Sequence, residues 1–423
     1  MDLLAAFLKH RRVSTDTRTV QPGDLFFALK GERFDGNQYA AQALDAGAAW
    51  AIVDDASIAV DDRFVMVDDV LTALQDLARA YRRQHSATFI GLTGSNGKTT
   101  TKELMRDVLA STYRTQATRG NLNNHIGVPL TLLEIAPDVE YAIIEMGANH
   151  QREIAELATI AEPDFGLITN IGEAHLEGFG GIEGVRIGKG ELFDFLAAHD
   201  RPGFVNVDLP PLSEMGQEKG MRTIAYSLHA GNLNLKVQSH PTQLKFTWQH
   251  AGAGHEVLTQ LTGAYNRFNA AAAISVGLHF KVTPEAISQA LRGYVPDNNR
   301  SQIAQSQHNT LILDAYNANP SSMVLALDNL AGLDGEVFFI IGGMRELGKS
   351  ADQAHQRICD HAERLGLDGW LVGTEFNACT TDYRTFEDAS AVREALSISP
   401  IQGTTVLIKG SRGIRLETVV DLL

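Results

Sequence analysis

The chain has 423 residues, 44% of them hydrophobic and 21% charged, enough apolar material to bury a core and too much for intrinsic disorder. At roughly 100–200 residues per domain, two to four domains are expected. Lys plus Arg number 36 against 51 Asp plus Glu, a net charge of −15, which argues against a nucleic-acid or anionic-membrane surface as the main task. Two cysteines, Cys359 and Cys379, give neither metal-ligand spacing nor a disulfide framework and fit a reducing, cytoplasmic setting. The apolar stretch at 3–8 is too short and wrongly flanked for a secretory signal, and no run of 18 uncharged apolar residues predicts a membrane span.

In chain order, short apolar runs at 25–29, 48–53 and 64–67 and a helical pattern over 70–83 predict a small α/β domain at 1–84. At 88–92 an apolar run leads into a glycine-rich loop. A helix follows, with Leu104, Met105, Val108 and Leu109 on one face. Apolar runs at 141–145 and 165–170 end in polar residues, as parallel strands do when they deliver side chains to a site at their carboxyl ends. Together they predict a central domain at 85–297. From 298 to 423, strand candidates at 311–313, 337–341, 371–372 and 405–408 alternate with helical stretches and predict a second doubly wound sheet.

The strongest chemical signal is Gly94-Ser95-Asn96-Gly97-Lys98-Thr99-Thr100. Glycines let backbone N–H groups approach phosphate, a lysine neutralises it and a hydroxyl holds Mg²⁺. Leu92 stands where the ordinary four-residue spacer needs glycine, so the loop is a shortened one; a plain helix-capping turn is the bland alternative. Glu145 ends its strand candidate either as a Mg²⁺-coordinating carboxylate or as a surface acid. His175 reads as a metal ligand or as a structural histidine. Lys189, in a Gly-Lys-Gly-Glu segment expected to open a helix, reads as a phosphate contact or a surface lysine. Asn266 and Asn269 precede a run of alanines and fit base recognition or helix capping. The run from Asp314 through Tyr316, Asn317 and Asn319 to Pro320 carries more polar groups than a turn requires and favours ligand contact. The segment at 342–348 is a glycine turn without the dinucleotide fingerprint, and Lys409, Ser411 and Arg412 form either an anion site or a basic turn.

Laid in order, these segments resemble the Mur ligase family over nearly the whole chain. The shortened loop is similar to that of the whole superfamily, which also holds folylpolyglutamate synthase. The segments 118–124, 145–150, 170–177 and 316–320 resemble those of its dipeptide-adding members. The resemblance implies an α/β chain of three domains: an N-terminal uridine-binding domain, a central P-loop ATPase domain and a C-terminal Rossmann-like domain. It implies an ATP- and Mg²⁺-dependent ligase that activates UDP-N-acetylmuramoyl-tripeptide as an acyl phosphate and joins it to D-alanyl-D-alanine, in the cytoplasm and as a monomer.

By the same resemblance, Gly94 to Thr100 cradle ATP with Lys98 on its phosphates, and Thr99 and Glu145 hold one Mg²⁺. His175 and a carbamylated Lys189 serve a second metal. Asn269 meets adenine, Arg300 phosphate and Asp314 ribose. Thr17, Arg18, Lys30, Gly31 and Asp35 bind the sugar nucleotide, while Asn123, Asn124, Tyr316, Asn317, Asn319, Lys409, Ser411 and Arg412 meet substrate. Thr17, Asn37 and Tyr265 depart from the family's usual Ser, His and His. A C-terminal domain closing over the bound nucleotide is expected, to keep water from the acyl phosphate. The alternatives are a sister ligase of the superfamily and a regulatory NTPase with no amine acceptor.

Overall fold

The computed structural model describes residues 1–229, 233–297 and 299–423, so the expected boundary at 297/298 touches a position outside the described residues. The first unit is a four-stranded parallel sheet of Val13–Ser14, Leu25–Phe27, Trp50–Val53 and Phe64–Met66, in that order. Helix Val70–Gln84 is capped by Asp69, whose carboxylate accepts from Thr72 N at 2.7 Å. Its far end is built into the central unit. Tyr81 Oη donates to the Ile135 carbonyl at 2.6 Å, and Arg82, spread over the Phe89 ring at 4.0 Å, reaches the Ala161 carbonyl and Asp164. One apolar cluster therefore runs from Phe7 and Leu74 through Val128 to Leu192 across both units.

The central sheet has six parallel strands, ordered Thr223–Tyr226, Gly203–Asn206, Phe165–Ile168, Thr88–Thr93, Tyr141–Glu145, Thr115–Ala117. Chain order reverses on either side of Thr88–Thr93, and the carboxyl end of that strand is the place where doubly wound sheets bind ligands. A further three-stranded antiparallel sheet, Lys236–Gln238, Lys245–His250 and Ala253–Leu258, was not among the expected elements. It buries Phe246 and Trp248 toward helix Pro284–Gly293, where Trp248 Nε1 donates to Ser288 Oγ at 3.2 Å.

The third unit is the expected doubly wound sheet, Thr310–Asp314, Thr405–Lys409, Val337–Gly342, Asp368–Val372 and Arg384–Phe386, with one antiparallel edge strand, Gln302–Gln305. Separate apolar clusters cover its two faces. Among the described residues no helix is long and apolar enough to cross a membrane.

Candidate active site

The phosphate loop leaves strand Thr88–Thr93 and enters helix Lys98–Ala110. Gly94 has φ +141°, and a Cβ there would lie 2.0 Å from Thr169 Oγ1. Gly97 has φ +77°, and its Cβ would lie 2.5 Å from Asn269 Oδ1. Both positions thus need glycine on conformational and steric grounds. The loop is tied to segment 169–172: Ser95 Oγ donates to the Gly172 carbonyl at 3.0 Å, Asn96 N to Asn170 Oδ1 at 3.0 Å, and Thr169 Oγ1 to the Asn96 carbonyl at 2.6 Å. Such a loop, opening a thirteen-residue helix, directs first-turn N–H groups at an anion.

Lys98 Nζ donates back to the carbonyls of Gly94 at 2.6 Å and Ser95 at 3.2 Å. Burial, with the charge of Arg300 adding to it, pushes Lys98 down to about 8, partly offset by Glu145. In the first turn of the helix, Thr99 Oγ1 donates to Glu145 Oε1 at 3.3 Å, and Asn123 Nδ2 donates to the same oxygen at 2.8 Å. The second carboxylate oxygen, Oε2, is buried without a hydrogen-bond partner. It faces the ammonium of Lys102 at 3.7 Å, a fully buried lysine that the sequence reading missed. Its signal was the spacing: Thr99 and Lys102, three apart, share a helix face.

Thr99 and Glu145 are thus brought together, but His175 and Lys189 are not joined to them. Among the described residues, no three His, Cys, Asp or Glu side chains form a metal cluster. His175 lines the cavity with φ 52°, and its Nδ1 contacts Glu346 of the C-terminal unit. That hydrogen bond holds the Glu346 carboxyl below its usual range. Lys189 lies inside helix Ile182–Ala198 and does not open it, because Gly181 already breaks the chain there with φ 111°. The bare Cα of Gly188 receives the Phe179 ring, to which a Cβ would come within 2.4 Å. Lys189 Nζ sits over that ring and donates to the Ala148 carbonyl at 2.9 Å. Burial first, then the charge of Lys98, lowers it well below the usual lysine range.

Asn266 and Asn269 do not cap their helix. The helix starts at Asn266 with no side-chain cap, because both amides are drawn inward. Asn266 Nδ2 donates to the Thr262 carbonyl at 2.6 Å and Ser301 Oγ at 3.0 Å, while Asn269 accepts from Thr101 Oγ1 at 3.0 Å and donates to Asn266 Oδ1 at 2.7 Å. Asn269 therefore buttresses the loop beneath Gly97. Asn124 Oδ1 accepts from Ile126 N at 3.2 Å and Gly127 N at 2.8 Å, in the turn that leads into helix Gly127–Leu133.

The opposite wall belongs to the C-terminal unit. Asp314 and Lys409 form a largely buried pair at 2.6 Å, which spends the Lys409 charge within the protein. Arg300 lies 3.8 Å over the Tyr316 ring, and Arg412 lies 5.5 Å from the centre of the same ring. Asn319 caps helix Pro320–Ala331 in a reciprocal capping box and reaches across to the phosphate loop, Nδ2 donating to Asn96 Oδ1 at 2.7 Å. Asn317 is exposed at the rim, while Ser411 Oγ accepts from Arg345 N at 3.0 Å inside the turn. Between the walls lies a cavity of about 920 Å³ whose lining includes Lys98, Glu145, His175, Arg300 and Tyr316. Thr17, Arg18, Lys30, Gly31 and Asp35 do not line it. They sit on the first unit, where Arg18 pairs with Asp16 at 2.6 Å, Lys30 with Asp54 at 2.8 Å, and Asp35 accepts from Asn37 N at 3.0 Å.

Family models described as "Mur ligase family, catalytic domain", "Mur ligase middle domain" and "Mur ligase, glutamate ligase domain" match residues 10–82, 92–277 and 299–412. The UDP-N-acetylmuramoyl-tripeptide–D-alanyl-D-alanine ligase of Escherichia coli (strain K12) is 39% identical, over 97% of this chain and 93% of the relative. The ligase of that name from Bacillus subtilis (strain 168) is 33% identical over the same shares. Among solved structures, MurF from Acinetobacter baumannii matches with a TM-score of 0.86 at 33% identity, covering 96% of this chain and 92% of that one. MurF from Thermotoga maritima in complex with ADP matches with a TM-score of 0.89 at 27% identity, covering 100% and 98%. With three consecutive family segments and near full-length likeness to these ligases, the chain belongs to the Mur ligase family.

Proposed function

We propose that this chain is an ATP-dependent ligase that joins D-alanyl-D-alanine to UDP-N-acetylmuramoyl-tripeptide, yielding the pentapeptide precursor of peptidoglycan. The observation that carries the reading is the cavity itself: a phosphate loop on one wall faces the polar Asp314–Asn319 segment on the other across about 920 Å³. A carboxylate is a poor electrophile. Transfer of the γ-phosphoryl group makes it an acyl phosphate, which the dipeptide's amine attacks; the tetrahedral intermediate collapses to amide and phosphate.

The protein's part is positioning and charge. Loop N–H groups and Lys98 hold the phosphates, with Arg300 beside them. Asp314 is assigned to the ribose, and Asn269 to the adenine side through the loop it supports. Glu145, whose Oε1 takes the Thr99 hydroxyl and whose buried Oε2 has no hydrogen-bond partner, fits one hard cation, so Thr99 and Glu145 are assigned to Mg²⁺. When bound, that ion neutralises charge developing on the transferred phosphoryl group. His175 and Lys189 as placed do not form a second ion site, and no step is assigned to one. For Lys189, the burial that disfavours the ammonium favours the neutral amine that carbamate formation needs, which labelling with carbon-13 bicarbonate reads out.

The first unit is assigned to the sugar nucleotide through Thr17, Arg18, Lys30, Gly31 and Asp35, and domain limits at 84/85 and 297/298 are retained. Dipeptide contacts are assigned to Tyr316, Asn317 and Arg412. A monomeric, cytoplasmic enzyme completes the reading. The test is phosphate release from Mg-ATP with the sugar-nucleotide tripeptide, with and without D-alanyl-D-alanine, the product read by mass spectrometry. Release that requires both substrates and forms the pentapeptide nucleotide is the expected result; release indifferent to the dipeptide refutes the assignment.

A further inference from the structure

Segment 169–177 is gripped from both sides. Its first half is bonded to the phosphate loop as described, and its second half to the C-terminal unit. Glu173 N donates to Ser321 Oγ at 3.1 Å, Arg357 pairs with Glu173 at 2.7 Å, and Glu177 N donates to the Glu346 carbonyl at 3.2 Å. The last of these is a backbone contact, so Glu346 is held to the segment by main chain as well as side chain. His175 and Glu346 both have left-handed backbones, φ 52° and 63°, conformations that non-glycine residues keep only where their surroundings over-determine them. Gly348, with φ +54°, packs against Glu177 beside them, where a Cβ would lie 3.2 Å from the Glu177 side chain.

We propose that Glu346 is a positioning residue for His175, fixing the imidazole tautomer from the C-terminal unit. A carboxylate can only accept, so the contact between His175 Nδ1 and Glu346 Oε2 puts the ring proton on Nδ1. In the neutral ring Nε2 then keeps the lone pair, on a side chain that lines the cavity. The same division of labour occurs wherever a carboxylate orients a working histidine from behind. Here the carboxylate and the histidine lie 171 residues apart, on different units. The site therefore has its His175 acceptor in order only while the C-terminal unit is docked. The kcat outcome rests on the proposed ligase reading and adds to it a working Nε2 on His175; the tautomer itself does not depend on that reading.

The test uses the full chain with Glu346→Ala, Glu346→Gln and Arg357→Ala. The Glu346 side chain is 53% exposed, so its replacement leaves the core intact. Nitrogen-15 NMR of the histidine rings, with His175 assigned by its loss in His175→Gln, reads the tautomer without any substrate. The wild type and Glu346→Gln, whose amide carbonyl still accepts, are expected to show Nδ1–H, and Glu346→Ala to lose that preference. In the ligase assay Glu346→Ala is expected to lower kcat by about 10- to 100-fold with KM values within about 2-fold, while Glu346→Gln stays within about 3-fold of wild type. Arg357→Ala cuts the neighbouring bridge to Glu173 and is expected to leave kcat within about 2-fold. An unchanged tautomer in Glu346→Ala, or an equal loss of kcat in Arg357→Ala, overturns the proposal. A wild type that shows Nδ1–H but makes no pentapeptide refutes the ligase reading and leaves the Glu346 contact standing.

Discussion

Replacing Gly97 by alanine tests the loop geometry most directly. The residue has φ +77°, which costs an L-residue about 1–2 kcal/mol. The new methyl would also lie 2.5 Å from Asn269 Oδ1. That amide has nowhere to go, since it is 7% exposed and held by Thr101 at 3.0 Å and Asn266 at 2.7 Å. Overpacking of this kind costs about 1–3 kcal/mol, so the substitution should cost about 2–5 kcal/mol in all. If the empty loop keeps its shape, the cost appears as lower stability of the central unit. If the empty loop shifts to escape, nucleotide binding must restore it and the cost appears as weaker affinity, where about 2 kcal/mol is roughly 30-fold. Calorimetric ADP binding and thermal unfolding should therefore be measured together. Asn269→Ala in the same chain removes the overlap but not the backbone cost, so the pair should show a coupling of about 1–3 kcal/mol. Wild-type affinity together with wild-type melting in Gly97→Ala, or a coupling of zero, would refute the reasoning.

Asn319→Ser keeps a good helix cap and removes the reach to Asn96. It should retain the stability of the C-terminal unit while weakening its docking, whereas Asn319→Ala should also lose about 1 kcal/mol of cap, as urea titration and small-angle scattering would show. Lys409→Met strands Asp314, which is 18% exposed, and should destabilise the C-terminal unit by about 3 kcal/mol; adding Asp314→Asn should recover most of this in the urea midpoint. Burial pushes the Cys359 thiol up to about 12, so at pH 8 its alkylation in the native chain should be at least about 100-fold slower than in urea, followed by peptide mass spectrometry. Because that folded-state value lies above the unfolded one, the linked stability is present below the ordinary thiol range and is lost as pH rises from there to about 12.

What could be read along the chain was whatever is decided locally. The run 88–110 announces itself because an apolar strand, a glycine loop and a helix with a 3.6-residue apolar stripe need no distant partner to be recognised. Glu145 was legible as a strand end, yet its two neighbours arrive from elsewhere: Asn123 from 22 residues upstream and Lys102 from the phosphate-loop helix. For Asn266 and Asn269 only the capping alternative fails, although an Asn before alanines has the local grammar of a cap. Ser301 and Thr101, which draw the amides inward, lie 35 and 168 residues away. Lys245–His250 did carry period-two alternation, with Phe246 and Trp248 inward. It was overlooked because its partner strand Lys236–Gln238 is short and polar, and its apolar face is completed by a helix farther along the chain. Lys189 lies mid-helix where its segment is expected to open one, because Gly188 admits an aromatic ring within the helix.

A chain with net charge −15 still builds a site for polyanions, and the reason is range. Exposed charges are screened beyond about 8 Å at physiological ionic strength, so the acidic surface has little say inside the cavity. There a few placed donors beside the phosphate loop decide. Lys98 feels Arg300, Lys189 feels Lys98, and Glu145 is the anion offsetting Lys98. Burial is the larger cause of both lowered lysines, with the neighbouring cation adding to it, and the phosphate loop brings backbone N–H groups to the same place. Burial makes Lys98 hold its proton less tightly. It also makes each contact to phosphate stronger than it would be in water, because the donors are already in place and little solvent remains to compete.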